Sequence, residues 1–227
     1  MRRALSLILA TLLAGTATHA QEFISTPGAL SDDDFYRAVS CAAPPGGDCA
    51  KPLVKWPTDR PLRVSLRRIA PVYLGGRAKR ADAALERAIQ RVNAANANIR
   101  LLRVGETAPA ADIEIYFLDL EKGATITGTG ITGVDDTRLG GASSRVFFDR
   151  NDDNTGNIKH AVILFSTSMQ KRAYESAMLE EVTQSLGLMT DIRNPHYEKT
   201  SVFSQDSNAA TRLGTQDEMA LRRHYPR

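Results

Sequence analysis

The residues of this chain whose types and spacing could do chemistry are two adjacent carboxylates and an amide one turn further on: Glu180, Glu181 and Gln184. Glu180 and Gln184 stand four apart, so on a helix they share one face. Such groups can hold a cation, or exchange protons if crowding shifts their pKa values. Adjacent helix positions diverge by about 100° of arc, so Glu180 and Glu181 are poorly placed to meet at one substrate atom. The paired acids of a glycosidase come from separate elements facing a sugar. A run from about Ser168 has the pattern of the helix that would carry these residues. Met178, Leu179, Val182 and Leu186 recur at helical spacing as its core stripe, which leaves Glu180 and Gln184 to point away from the core. Gly187 fits the left-handed residue that ends a helix, with Leu188 free to fold back on the last turn.

The order Glu180-Glu181-x-x-Gln184-x-x-Gly187-Leu188 resembles the zinc-binding helix of the metzincin metalloproteases, the matrixin type in particular, whose pattern is H-E-x-x-H-x-x-G-x-x-H. In that family two His one turn apart hold zinc, the Glu polarises the metal-bound water, and the Gly turn brings the third His round. The resemblance implies that Glu180 occupies the first ligand position, Glu181 that of the general base, Gln184 the second ligand, Gly187 the turn and Thr190 the third ligand. The base, the Gly and the flanking Leu186 and Leu188 match, and none of the three His is present. Ser201-Val202-Phe203 lies where matrixins carry their Met-turn, with Phe203 in place of Met. Leu213 through Tyr225 resembles their closing helix, which starts at an acid and ends in a Tyr. The chain is also similar to an exported bacterial family known only as a domain of unknown function (DUF2927), through its E-E-x-x-Q-x-x-G-L core. These resemblances imply an α/β (α+β) fold of the metzincin or zincin-like kind. It would have a mixed twisted sheet, two main helices packed on it and a C-terminal helix, over residues 60–227.

A catalytic zinc needs three firm ligands and one open position. Glu180 can ligate, Gln184 is a weak neutral ligand, and Thr190 is poorer still. Asp191, one residue further on, offers a substitute, and Glu180, Asp191 and His196 make the alternative metal set. The expectation is therefore a hydrogen-bonded polar cluster with no metal, zinc being the only cofactor the pattern raises. Nucleophilic catalysis has little support, because no Ser stands in a G-x-S-x-G elbow. His160 opens an apolar strand, and His224 ends a helix, where partial positive charge suits the dipole. Asp149-x-Asn151-x-Asp153 resembles the start of a calcium loop, but Asn154 stands where Gly is needed and His160 where a bidentate Glu is needed, so a polar turn is expected.

The elements that must position this cluster follow from the chain in order. Arg2 and Arg3, an apolar run over 5–14 and Thr18-His19-Ala20 form a leader, so residues 1–20 are predicted to be removed near Ala20 on export to the periplasm or outside. The run is too short for a membrane anchor. Without Arg2 and Arg3 the 29 basic side chains become 27, against 26 acidic ones. That near-neutral balance leaves no electrostatic footprint for nucleic acid. Residues 21–59 are expected as an N-terminal extension. Ser31 and the acids Asp32, Asp33 and Asp34 start a helix there, and Cys41 and Cys49 close a Pro/Gly loop by a disulfide. The body alternates a strand from Leu62 to Arg67, a helix over 77–96, strands at 99–104 and 113–117, a long mobile loop over 123–141, and strands at 145–148 and 161–165. Thr215 and Glu218 are expected to box the last helix.

The function expected from this pattern is a zincin-like pseudo-protease. It would bind a peptide or protein partner along the former substrate cleft, with the segment 145–148 as the edge strand that receives it. The other class is a metal-dependent hydrolase, a peptidase, with an altered metal site.

Overall fold

The computed structural model describes residues 23–227; the predicted leader and its expected cleavage near Ala20 lie outside the described residues. Alternating burial along two of the strands shows the plan of the sheet. In β3 (Leu62–Ile69) Leu62, Val64 and Leu66 turn inward, and in β5 (Ile113–Phe117) Ile113, Ile115 and Phe117 do so. The inward faces bury against α2 (Gly76–Ala94), whose stripe of Ala81, Leu85, Ala88, Ile89 and Val92 recurs at helical spacing. β4 (Leu101–Val104) pairs with β3 at one edge of the sheet. β7 (Thr155–Phe165) is central: it runs parallel to β5, takes β2 (Leu53–Lys55) beside its first residues, and pairs antiparallel along its length with β6 (Ala142–Arg150). The result is a mixed, mainly parallel six-stranded sheet with β4 at one edge and β6 at the other. α3 (Tyr174–Gln184) packs beside α2 on the inner face, and the fold is mixed α/β of the α+β kind.

The first six residues of the run expected as helix, 168–173, are not α-helical. The run from Ser168 is a loop and one 3₁₀ turn, Lys171–Ala173, before α3 begins. Both β6 and β7 are longer than their apolar cores suggested, because the polar ends continue the ladder into a tight hairpin. In that hairpin Asp153 accepts from the N–H and hydroxyl of Thr155, which makes the calcium-like stretch the polar turn that was expected. The loop over 123–141, expected to be mobile, is packed by its own side chains. Ile126, Val134 and Leu139 are buried with Leu118, Val162 and Leu164 on the outer face of the sheet, and Thr125 bridges to Arg138. Its Gly-rich composition hid three apolar residues that had a face to cover.

The N-terminal segment joins the body at three places. β1 (Phe23–Ser25) pairs with β8 (Asp191–Arg193), β2 adds to the main sheet, and α1 (Asp32–Cys41) packs on α4 (Thr215–His224) with Phe35 and Val39 fully buried. Ser31 caps α1 by accepting from the Asp34 N–H at 3.1 Å. The Cys41–Cys49 disulfide is present.

The turn after α3 is held from several sides. Gly187 has φ +98°, and any Cβ there would run into the Val54 carbonyl oxygen, so both its backbone angle and its surroundings exclude other residues. Trp56 Nε1 donates to the Ser185 carbonyl at 2.8 Å, and the Tyr225 hydroxyl donates to that of Leu186 at 2.6 Å. His224, fully buried, has Nε2 at 2.9 Å from the Val54 carbonyl and Nδ1 at 3.2 Å from the Tyr36 hydroxyl. Desolvation lowers its pKa to about 3, so it is neutral. The cap of α4 sits one residue earlier than Thr215 and Glu218 suggested: Gly214 is the cap, and its N–H donates to Asp217 at 2.8 Å. Asp217 also accepts from the Ser201 hydroxyl at 2.6 Å and the Val202 N–H at 3.0 Å, tying the segment 201–203 to the last helix.

Candidate functional site

α3 and the short strand β8 bring Glu180, Glu181, Gln184 and Asp191 together. The stripe of Met178, Leu179, Val182 and Leu186 is fully buried, as its spacing requires. The polar side is not open as expected. Glu181 is 5% and Gln184 9% exposed, and Glu180 is half-buried. The reason is β6, whose first half lies across α3 and covers it. A helix considered alone cannot report what crosses its polar face.

Within this cluster the Gln184 amide nitrogen donates to the Asp191 carboxylate at 2.6 Å. Thr190 is fully buried, and its hydroxyl accepts from the Lys51 ammonium at 3.1 Å, while the same ammonium reaches the Met189 carbonyl at 3.4 Å. One Glu181 oxygen, Oε2, is buried without a hydrogen-bond partner. Desolvation, and then the nearby Asp191 charge, push the Glu181 pKa up to about 8, against opposing pulls from Ser144 and Arg145 of β6. Burial, Asp191 and Glu181 together raise that of Glu180 well above the carboxylate range. Three carboxyl groups that cannot all ionise cheaply therefore share this part of the fold, and burial with mutual repulsion favours the protonated form of Glu180 and Glu181.

Several residues stand elsewhere. His196 is exposed on a 3₁₀ turn and stacks edge-on against Tyr197, and His160 lies on β7 with Nε2 3.2 Å from Glu114. Phe203, at the position compared with a Met-turn, is fully buried against Phe35. Among the described residues no three His, Cys, Asp or Glu side chains group so as to hold a metal ion. The donor set at the cluster does not suit zinc either, since Gln184 turns its nitrogen to Asp191 and Thr190 is engaged by a cation. Lys51 and Ser144 were not singled out by sequence. Lys51 lies in a Pro-flanked linker and Ser144 in a Gly/Ser run, where no local pattern marks that the first will meet the turn after α3 and the second α3 itself.

The fold and the cluster define a mixed α/β domain with a carboxylate-rich centre under an edge strand. The chain belongs to the family described as a protein of unknown function (DUF2927), which it matches over residues 32–227. A solved structure described as "Structure of Myroilysin" is similar at 15% identity and a TM-score of 0.38, covering 76% of this chain and 82% of that one, which is too low a likeness to support a functional conclusion. No curated protein matches. Among the described residues no helix is long and apolar enough to cross a membrane, and a disulfide of this kind persists in oxidising compartments.

Proposed function

We propose that this protein is an exported, non-catalytic binding domain, a zincin-like pseudo-protease, that receives an extended peptide or protein segment along β6. The observation that carries this reading is the position of β6. It is an edge strand of nine residues, paired among the described residues with β7 alone, and it lies over the helix that bears the carboxylates. An edge strand offers a row of backbone donors and acceptors to an added strand, and pockets beside it select side chains. The site chemistry argues against turnover. Glu181 holds its proton at neutral pH, so it is a poor general base, and Gln184 and Asp191 satisfy each other. The leader over 1–20 and the disulfide are the grounds for export.

The second reading, a hydrolase with an altered metal site, draws on one observation: the partnerless Glu181 oxygen beside Glu180 and Asp191. Amide NMR of the purified protein titrated with a pool of unstructured peptides tests the first. Shifts concentrated on 142–150 support it, and their absence there overturns it. Metal analysis separates the second, for which stoichiometric zinc that disappears in Glu180→Ala is required.

A further inference from the structure

The open side of β6 is not uniform along its length. The Ser166 N–H donates to the Gly141 carbonyl at 2.9 Å, and the pairing from Ala142↔Phe165 to Phe147↔His160 continues from it without a shift. Backbone groups of an antiparallel strand alternate sides, so Ala142, Ser144 and Val146 direct theirs away from β7, to the edge. At Ser144 both groups are engaged within the chain. Its carbonyl accepts from Arg145 Nη1 at 3.1 Å, and its N–H, together with its hydroxyl, supports the Glu181 carboxyl. Glu181 therefore reaches the open edge of β6, and a strand added along that edge runs onto it.

Beside Glu181 stand Glu180 of the same helix and Asp191 of β8, both half-buried. Two cations face these three carboxyls. Arg145 of β6 acts on Glu181, while its guanidinium also reaches the Arg138 carbonyl at 3.4 Å. The Lys51 ammonium is engaged at Thr190 and at the Met189 carbonyl. The acids are thus in excess. A separate observation points to what is missing: Glu181 is 5% exposed, yet its Oε2 is buried with no donor. A buried carboxylate oxygen left without a donor is costly, and it marks a place where another molecule can supply one. An ammonium or guanidinium brings donors and positive charge together, without the rigid ligand geometry that a metal demands.

We propose that the extended segment received along β6 presents a lysine or arginine side chain, which seats against Glu180, Glu181 and Asp191 where the open edge ends at Ser144. The inference rests on the edge-strand reading and adds the chemistry of the partner. It also couples binding to a proton. Burial, and then the Asp191 charge, hold Glu181 up at about 8. A cation that binds at pH 7 favours the ionised carboxyls, so a proton leaves for solvent. Affinity therefore rises with pH towards about 8 and levels above it.

The test uses the purified protein and short acetylated, amidated threonine-rich peptides that differ at one central residue: Lys, Arg, Gln or Glu. The Lys and Arg peptides should bind at least about tenfold more tightly than the Gln peptide, and the Glu peptide least. Calorimetry at pH 7 should give the Lys peptide different enthalpies in phosphate and in Tris, and the Gln peptide the same enthalpy in both. Glu180→Gln and Glu181→Gln should each reduce the preference for Lys over Gln and the buffer difference with it. Glu180 is half-buried, which keeps the test open if Glu181→Gln does not fold. Equal binding of the Lys and Gln peptides, with amide shifts on 142–150, would overturn this inference and leave the edge-strand reading standing. Binding of no peptide, or a Lys preference without shifts on 142–150, would overturn both. Stoichiometric zinc or calcium at the cluster would also overturn it, by making the cation a metal.

Discussion

Two buried carboxylates, Asp217 and Glu181, show how differently one chain can treat the same group. Asp217 is fully buried and accepts from three donors, the Ser201 hydroxyl and the N–H groups of Val202 and Gly214. Desolvation still raises its pKa, to about 6, but at neutral pH it is an anion whose lone pairs are used. Glu181 is nearly as buried, has one oxygen with no partner, and sits beside two further carboxyl groups, so that it is held up at about 8. The first arrangement fastens the last helix to the segment 201–203. The second leaves polar capacity unspent under an edge strand, and unsatisfied buried groups concentrate where proteins bind something. The difference separates fastening from site.

The largest expected effect lies on the fastening side. Gly187→Val forces a β-branched residue into positive φ and into the Val54 carbonyl, and should cost about 4 kcal/mol or more, read as the shift of a urea unfolding midpoint. A melt unchanged by this substitution would show that the turn is not held as described. Next, Asp217→Ala strands three donors and should cost about 3 kcal/mol. If it instead costs no more than Glu181→Ala, the contrast between the two carboxylates is gone.

The pH dependence sharpens the same contrast. Both carboxyl groups have folded pKa values above their unfolded ones, so each contributes stability that is complete at low pH and is lost as pH rises through the folded value. For Asp217 that loss is nearly finished by pH 7, whereas for Glu181 it runs on through about 8. His224 has the opposite sign: its folded pKa is lowered to about 3, so its contribution is present above its unfolded value near 6.5 and is lost only as pH falls. Between pH 7 and 9 the fall in stability therefore belongs to the α3 cluster. Glu181→Gln should flatten it and remove that residue's share of the slope down to its unfolded value near 4.5, leaving the contributions of Asp217 and His224, in unfolding measurements at a series of pH values. The smallest effect is that of Ser201→Ala, about 1 kcal/mol, with a further rise in the Asp217 pKa as one donor is lost. An unchanged pKa would mean that the hydroxyl does not support the anion.

Much of the frame was legible because it is local. The stripe of α2, the alternation in β5, the Ser31 cap and the two lone cysteines each carry their signal within a few residues. The cap of α4 was misplaced by one residue, because Thr215 with Glu218 and Gly214 with Asp217 are both locally plausible, and the burial of Asp217 under Ser201 decides between them. The loop over 123–141 was misread because composition does not show that an uncovered sheet face is waiting for Ile126, Val134 and Leu139.

The sequence by itself determined the helices, the strand cores, the disulfide pair and the grouping of Glu180, Glu181 and Gln184 on one turn, since periodicity and short-range hydrogen bonding act over a few residues. Only the tertiary structure decided that β6 crosses α3 and buries Glu181, that Lys51 reaches Thr190, and that Asp191 meets Gln184. Burial and charge proximity depend on which distant segments are brought into contact, and it is they that set the protonation of this site.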